Sequence, residues 1–402
     1  MRRILTITAI ALTAAMVIIP VAPPLEAQRL GKPVARPKLR DVTDTNDAQA
    51  YFDAGLRAFG NDPGYAADAF YWAARINPGW GDPLYGRRAA ILAQKQGLLN
   101  QMMNGNRRSR ELIALDSLHA RALMLNPFLY RRLDRQLFIS YLTNGDRHVQ
   151  AQYAYEINVW LTQASPQMQA WYAYSMGNFE RALQHYATAI GREREKAYLH
   201  LERARIFGMR NEVDPAVAEF QLALDELRSK DEKKLVVLYD SKAMAEFSIA
   251  TLLEGAGQSQ RARDAYGRAL EEDLAYYPAH MRLGLLALTQ GDTAAAVSEL
   301  ALAAEIATDE PLVRYMNGWV LSVAKRPADA IVELKKAVEI EPYYALPNLV
   351  LGQQYEKLEK APEAIAAYDR FLKTASAAEP QRAYATARMD DLKAFLKAPN
   401  TQ

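Results

Sequence analysis

Few residues in this chain could do chemistry, and their spacing argues against most reactions. The five histidines are His119, His148, His185, His200 and His280, and none forms the His-Glu-x-x-His pair that places two imidazoles on one helix face for zinc. Gly257-Gln258-Ser259-Gln260-Arg261 holds half of a nucleophile elbow. It lacks the second glycine and falls in a helical stretch, whereas an elbow needs a strand before it. No glycine-rich loop ends in Gly-Lys-Ser/Thr, and no Gly-x-Gly-x-x-Gly follows a strand pattern, so phosphate and dinucleotide cradles are missing. Glu271-Glu272 and Asp390-Asp391 are adjacent pairs that diverge around a helix and do not share a substrate. Cysteine is absent, which removes disulfides, thiolate metal sites and thiol nucleophiles. The expectation is a protein that is not an enzyme and carries no catalytic residues, no metal site and no cofactor. A catalytic or ligand-binding role in residues 97–165 stays open as a competing hypothesis.

What remains is binding chemistry. Arg107, Arg108 and Arg110 cluster near a turn, and Arg131, Arg132 and Arg135 share one helix side among Phe128, Tyr130 and Leu133. Guanidinium forks suit carboxylates and phosphates, so these six form a candidate anion patch, with a solvated face as the alternative. Net charge is only +2, so nucleic acid is not an expected partner. The charge is unevenly spread: residues 81–165 hold 11 Lys/Arg against 6 Asp/Glu, and residues 240–397 hold 18 against 23.

The elements that carry these residues are helices. From residue 47 onward no run alternates with period two, and Gly and Pro fall between segments. Ala250, Gly284, Gly318 and Gly352 recur in steps of 34 residues, as do Ala262, Ala296, Ala330 and Ala364. Tyr266, Leu300, Leu334 and Tyr368 keep the same step. Earlier, Ala170 and Ala204, Ala182 and Ala216, and Tyr186 and Phe220 stand 34 apart. One period of this length, held in several registers, means a stacked array of a repeated helical unit. Ala204 to Ala250 is 46 residues, which places an insert of 12 residues around 230–241. The insert is expected to lengthen the first helix of the hairpin that follows.

These residues resemble the tetratricopeptide repeat. Each unit has a small residue in the first helix, a small residue near the start of the second, and a bulky residue one turn on. Gly177, Gly257 and Gly291 sit at the turn between the two helices, where Lys325 and Glu359 replace glycine in later units. The resemblance implies an all-α fold, a right-handed superhelical solenoid of antiparallel helical hairpins. It also implies a concave groove lined by the first helices. The face that would line it carries Met244, Phe247, Thr251, Glu254, Met281, Leu285 and Leu288. It continues through Leu312, Tyr315, Trp319, Ser322, Leu346, Leu349, Gln353 and Glu356. Phe247, Met281, Tyr315 and Leu349 stand where some relatives use lysine to clamp a C-terminal carboxylate. An apolar or amphipathic helix therefore fits the groove better than a charged peptide tail. The alternative is burial of this stripe between neighbouring helices or under the terminal helix.

The expected organisation is a signal peptide over 1–27, a flexible linker over 28–46 and divergent helical repeats over 47–165. Two repeat units follow over 166–229, four more over 230–379 including the insert, and a capping helix and tail over 380–402. Arg2 and Arg3 precede an apolar run at residues 4–21, and Leu25-Glu26-Ala27 offers a cleavage site before Gln28. The expectation is an exported scaffold, periplasmic or extracellular, that binds a protein or peptide. The alternative is an assembly factor of the cell envelope anchored by an uncleaved N-terminal helix, the one segment through which membrane contact is expected.

Overall fold

A computed structural model describes residues 34–39, 44–104, 109–152, 154–228 and 241–397. Among these residues there are helices and turns and no strands. From residue 166 the chain forms six antiparallel hairpins in sequence. They pair α9 (Pro166–Ser175) with α10 (Phe179–Ile190), α11 (Ala197–Met209) with α12 (Val213–Arg228), and α13 (Lys242–Gly255) with α14 (Ser259–Glu272). The remaining pairs are α15 (Tyr277–Thr289) with α16 (Thr293–Ile306), α17 (Pro311–Val323) with α18 (Pro327–Ile340), and α19 (Leu346–Lys357) with α20 (Ala361–Thr374). A last helix, α21 (Arg382–Lys397), packs on α20.

The 34-residue step has a steric cause. Gly318 faces Leu334 so closely that a Cβ there would lie 2.6 Å from Leu334 Cγ and 3.2 Å from the Ala330 carbonyl. Gly284 and Gly352 meet Leu300 and Tyr368 in the same way. Ala296, Ala330 and Ala364 are fully buried on the opposing helices. Small residues on both sides let each hairpin close, and the bulky partner fills the groove beside them.

The turns are equally regular. Gly177, Gly257 and Gly291 adopt φ of 76°, 72° and 81°, and Asn211, Lys325 and Glu359 take φ of 58°, 58° and 57° at the equivalent positions. In all six turns the next residue donates its N–H to the carbonyl five residues back, at 2.8–3.0 Å. This is the Schellman closure, and it survives the loss of glycine at the expense of left-handed strain.

The insert expected around 230–241 lies almost wholly outside the described residues. It does not lengthen the next helix. The hydroxyl of Ser241 accepts from the Met244 N–H, so α13 starts at Lys242 behind a side-chain cap.

The N-terminal half folds as α1 (Ala48–Ala58), α2 (Pro63–Ile76), α3 (Gly81–Gln94), α4 (Gln96–Met103), α5 (Arg110–Leu125), α6 (Asp134–Leu142), α7 (Arg147–Gln152) and α8 (Ala154–Gln163). Helices α1 to α3 close on Phe70, which Gly55 and Gly86 approach from both sides. Helix α3 also packs against α5, with Gly81 pressed to the Ala122 carbonyl. Residues 34–39 are not a free tether. The Trp72 indole N–H donates to the Val34 carbonyl at 3.2 Å, and the Arg36 guanidinium stands over the rings of Tyr51, Trp72 and Tyr343.

This N-terminal layer lies against the repeats, and its first residues reach their far end. Asn46 donates to the carbonyls of Lys373 and Ala375, and Asp44 accepts from Ser376 and from the Ala377 N–H. Among the described residues, no helix is long and apolar enough to cross a membrane.

Candidate partner-binding surface

The stripe expected to line the groove does lie on the first helices, but it is covered. Met244, Phe247, Met281 and Leu349 are buried, and Glu254, Leu285, Leu288, Leu312, Tyr315, Trp319, Leu346, Gln353 and Glu356 are half-buried. Part of this burial comes from the hairpin itself and from the next repeat. The Phe247 ring meets Tyr266 and Tyr276 at 5.6 and 5.4 Å, and Tyr315 meets Tyr344 at 5.3 Å. At α19 the terminal helix α21 adds cover, with Arg388 on Glu356, and at α13, α15 and α17 the N-terminal layer does.

One continuous segment, residues 121–131, faces the stripe of α13, α15 and the start of α17. Met124 and Leu125 at the end of α5, with Pro127 after it, face Phe247, Met281, Leu285, Leu312 and Met316 across a cavity of about 250 Å³. Phe128 lies against Gly208, where there is no room for a Cβ, and packs on the Phe220 ring at 6.5 Å. An arginine closes each end. Arg121 pairs with Glu310, and Arg131 pairs with Glu202. A third pair, Arg75 to Glu341 at 2.9 Å, sits beside the edge-on rings of Trp72 and Tyr343.

These pairs are desolvated, which fixes their electrostatics. Burial pushes the Glu310 carboxyl up, and Arg121 offsets only part of this. Glu341 is raised for the same reason, with Arg75 working against it. Glu202 goes the other way. Burial alone would raise it, but Arg131 and Arg205 together hold it below the ordinary carboxylate value. Arg131 also neighbours Asp134, whose carboxylate accepts from the Tyr85 hydroxyl at 2.8 Å.

The candidate anion patch is therefore not one site. Arg131 is committed to Glu202 and Asp134. Arg135 donates to Asn158 at 3.0 Å, and Arg132 is exposed and lies over the Tyr130 ring. Arg110 is exposed at the start of α5, while Arg107 and Arg108 lie outside the described residues. The sequence gives no spacing signal for residues 121–131 as a groove occupant. The one available sign was the charge asymmetry, since a basic middle and an acidic C-terminal array pair with each other in the folded chain.

Within the repeats the polar residues act as cross-helix ties. His200 Nδ1 lies 2.7 Å from Glu219, His280 Nδ1 lies 2.7 Å from Glu299, and Arg314 donates to Glu333 at 2.8 Å. All three pairs span 19 residues, so one repeat position uses histidine or arginine for the same tie. Glu254 accepts from Tyr266 and Arg282, and Glu356 from Tyr368 and Arg388. Both carboxylates on the concave stripe are thus bound to structural partners. Among the described residues no three acidic or histidine side chains converge as a metal site.

The tetratricopeptide repeat profile matches residues 168–231 and 247–311. No curated protein is similar to the chain in sequence. Among solved structures, it is similar to YrrB, described as a tetratricopeptide repeat protein with an unusual peptide-binding site. That match has 19% identity and a TM-score of 0.41 over 52% of this chain and 100% of YrrB. It is also similar to the C-terminal part of a tetratricopeptide repeat-containing protein from Cytophaga hutchinsonii, at 15% identity and TM-score 0.44, over 56% of this chain and 84% of that one. MamA from Desulfovibrio magneticus is a third, at 16% identity and TM-score 0.38, over 45% and 95%.

Proposed function

We propose that the protein is a non-catalytic interaction scaffold whose repeats hold an apolar or amphipathic segment of a protein partner on the concave face. One observation carries this reading. The stripe of α13, α15 and α17 already receives the apolar side chains of a separate part of the chain, with Arg121 paired to Glu310 at the start of α17. A surface that accommodates that chemistry internally is built for it. The ionisable groups described above serve ties between helices.

Trp319 is the side chain to test. It lies on the concave stripe of α17 and is half-buried, and tryptophan is over-represented among residues that dominate interface energy. Trp319→Ala is expected to weaken partner capture by about 2 kcal/mol or more while far-UV helicity is unchanged. Capture at full strength by the folded variant would overturn the groove assignment.

We further propose that the protein is exported. The support is the sequence of residues 1–27 alone, which lie outside the described residues. Intact mass of the mature protein tests this: a chain that begins at Gln28 supports export with cleavage. Retention of residues 1–27 favours the anchored alternative.

A further inference from the structure

We infer that residues 121–131 are a built-in, displaceable occupant of the concave face, and that the external partner is an apolar segment bracketed by basic residues that competes for the same seat. The inference rests on the scaffold reading above and names the partner chemistry for that surface.

The seam differs from the rest of the molecule in how it is held. Close helix crossings run between helices that are near neighbours along the chain, within the repeats and within the layer. Apart from the junctions of α6 and α8 with α9, the layer meets the repeats mainly through side chains. The cavity between Met124 and Met281 leaves part of the seam unfilled. Its polar contacts are buried ion pairs, which replace hydration at a cost and fix register more than they add net stability. Such a seam is fixed in register by its ion pairs and is incompletely filled between them, as a seat for a replaceable occupant requires.

Charge fixes the class of competitor. Glu202 and Glu310 stand at the two ends of the seat and are filled by Arg131 and Arg121. Between them the seat accepts Met124, Leu125 and Phe128. A partner segment must therefore present a few large apolar side chains with a cation about ten residues apart at each end. An acidic or uniformly polar peptide leaves Glu310 buried and unpaired and Glu202 with Arg205 alone, which is unfavourable.

The probe is a fluorescein-labelled peptide of residues 119–133 of this chain, titrated by anisotropy into the full protein. Closed seats lower apparent affinity in proportion to the open fraction. Arg121→Glu places two carboxylates together at Glu310, and it should raise peptide affinity by about tenfold or more. It should also speed amide hydrogen exchange in residues 121–131. Arg121→Glu combined with Glu310→Arg should restore slow exchange. Phe128→Ala opens the other end without burying a charge and should act in the same direction. Unchanged exchange in both folded single variants would overturn the displaceable layer. Fast exchange without peptide binding would leave the layer mobile but refute the groove as a recognition surface. Loss of helicity across the repeats in both variants would show the segment to be obligatory core and would also overturn the inference.

Discussion

Gly318→Ala is the most direct test of why the hairpins close as they do. The new methyl would sit 2.6 Å from Leu334 Cγ, 2.9 Å from Leu334 Cδ2 and 3.2 Å from the Ala330 carbonyl. Leu334 is fully buried, its Cγ is a branch atom, and the carbonyl belongs to a helix backbone, so none of the three can yield cheaply. Overpacking of this kind costs about 1–3 kcal/mol, and the rigid neighbours favour the upper part of that range. Alanine is better than glycine in a helix by about 1 kcal/mol, which offsets part of the cost. The net expectation is destabilisation of about 1–2 kcal/mol. Gly267 supplies the control. It lies inside α14 with nothing within 4 Å of its would-be Cβ, so Gly267→Ala keeps the propensity gain and should stabilise by about 1 kcal/mol. Urea unfolding followed by circular dichroism measures both, and hydrogen exchange localises the loss, which should spread to α15 and α19 because each repeat leans on its neighbours. Two variants that shift in the same direction would refute the argument from close approach.

Further predictions concern the turns, a cap and pH. Lys325→Gly and Glu359→Gly each relieve a left-handed backbone and should raise the urea midpoint by an amount equivalent to about 1 kcal/mol, whereas Gly291→Ala should lower it. Ser241→Ala removes the cap of α13 and should cost about 1 kcal/mol, with faster exchange confined to the first turn of that helix. Glu202 carries a pH dependence whose sign follows from its depressed folded-state value. Its contribution is present above the ordinary 4.5 and is lost as pH falls through the lower folded-state value. Glu202→Gln should therefore flatten the acid limb of the stability curve; an unchanged slope would show that Arg131 and Arg205 do not hold this carboxylate.

The repeats were legible because their packing is local and periodic. Gly284, Gly318 and Gly352, and the alanines opposite them, mark each crossing in register, and Pro78 marks the end of α2 at Asn77. The turn residues were legible by position although not by type. Lys325 and Glu359 do what glycine does elsewhere, because the Schellman hydrogen bonds of the flanking helices impose the conformation. Helix α3 begins at Gly81, outside the repeat register. The contact of Gly81 with the Ala122 carbonyl, which no local pattern contains, explains its glycine.

The seam was not legible, because it joins residues far apart in sequence through a few side chains. Arg121 and Glu310 are separated by 189 positions, and Arg75 and Glu341 by 266. Neither arginine differs locally from a solvated one. The concave stripe could be listed residue by residue, yet its cover could not, since residues 97–165 follow no repeat register that would project them onto it.

The lack of cysteine makes a distance measurement straightforward, because two introduced cysteines carry spin labels with no background. With one label at exposed Ile113 on α5 and one at exposed Val332 on α18, pulsed dipolar spectroscopy reads the layer against the repeats directly. The account predicts one short population in the free protein and a second, longer one when the arginine-bracketed peptide is added, with no such change for a peptide whose two arginines are replaced by glutamate. A distance distribution that stays fixed while the basic peptide saturates the protein would contradict it.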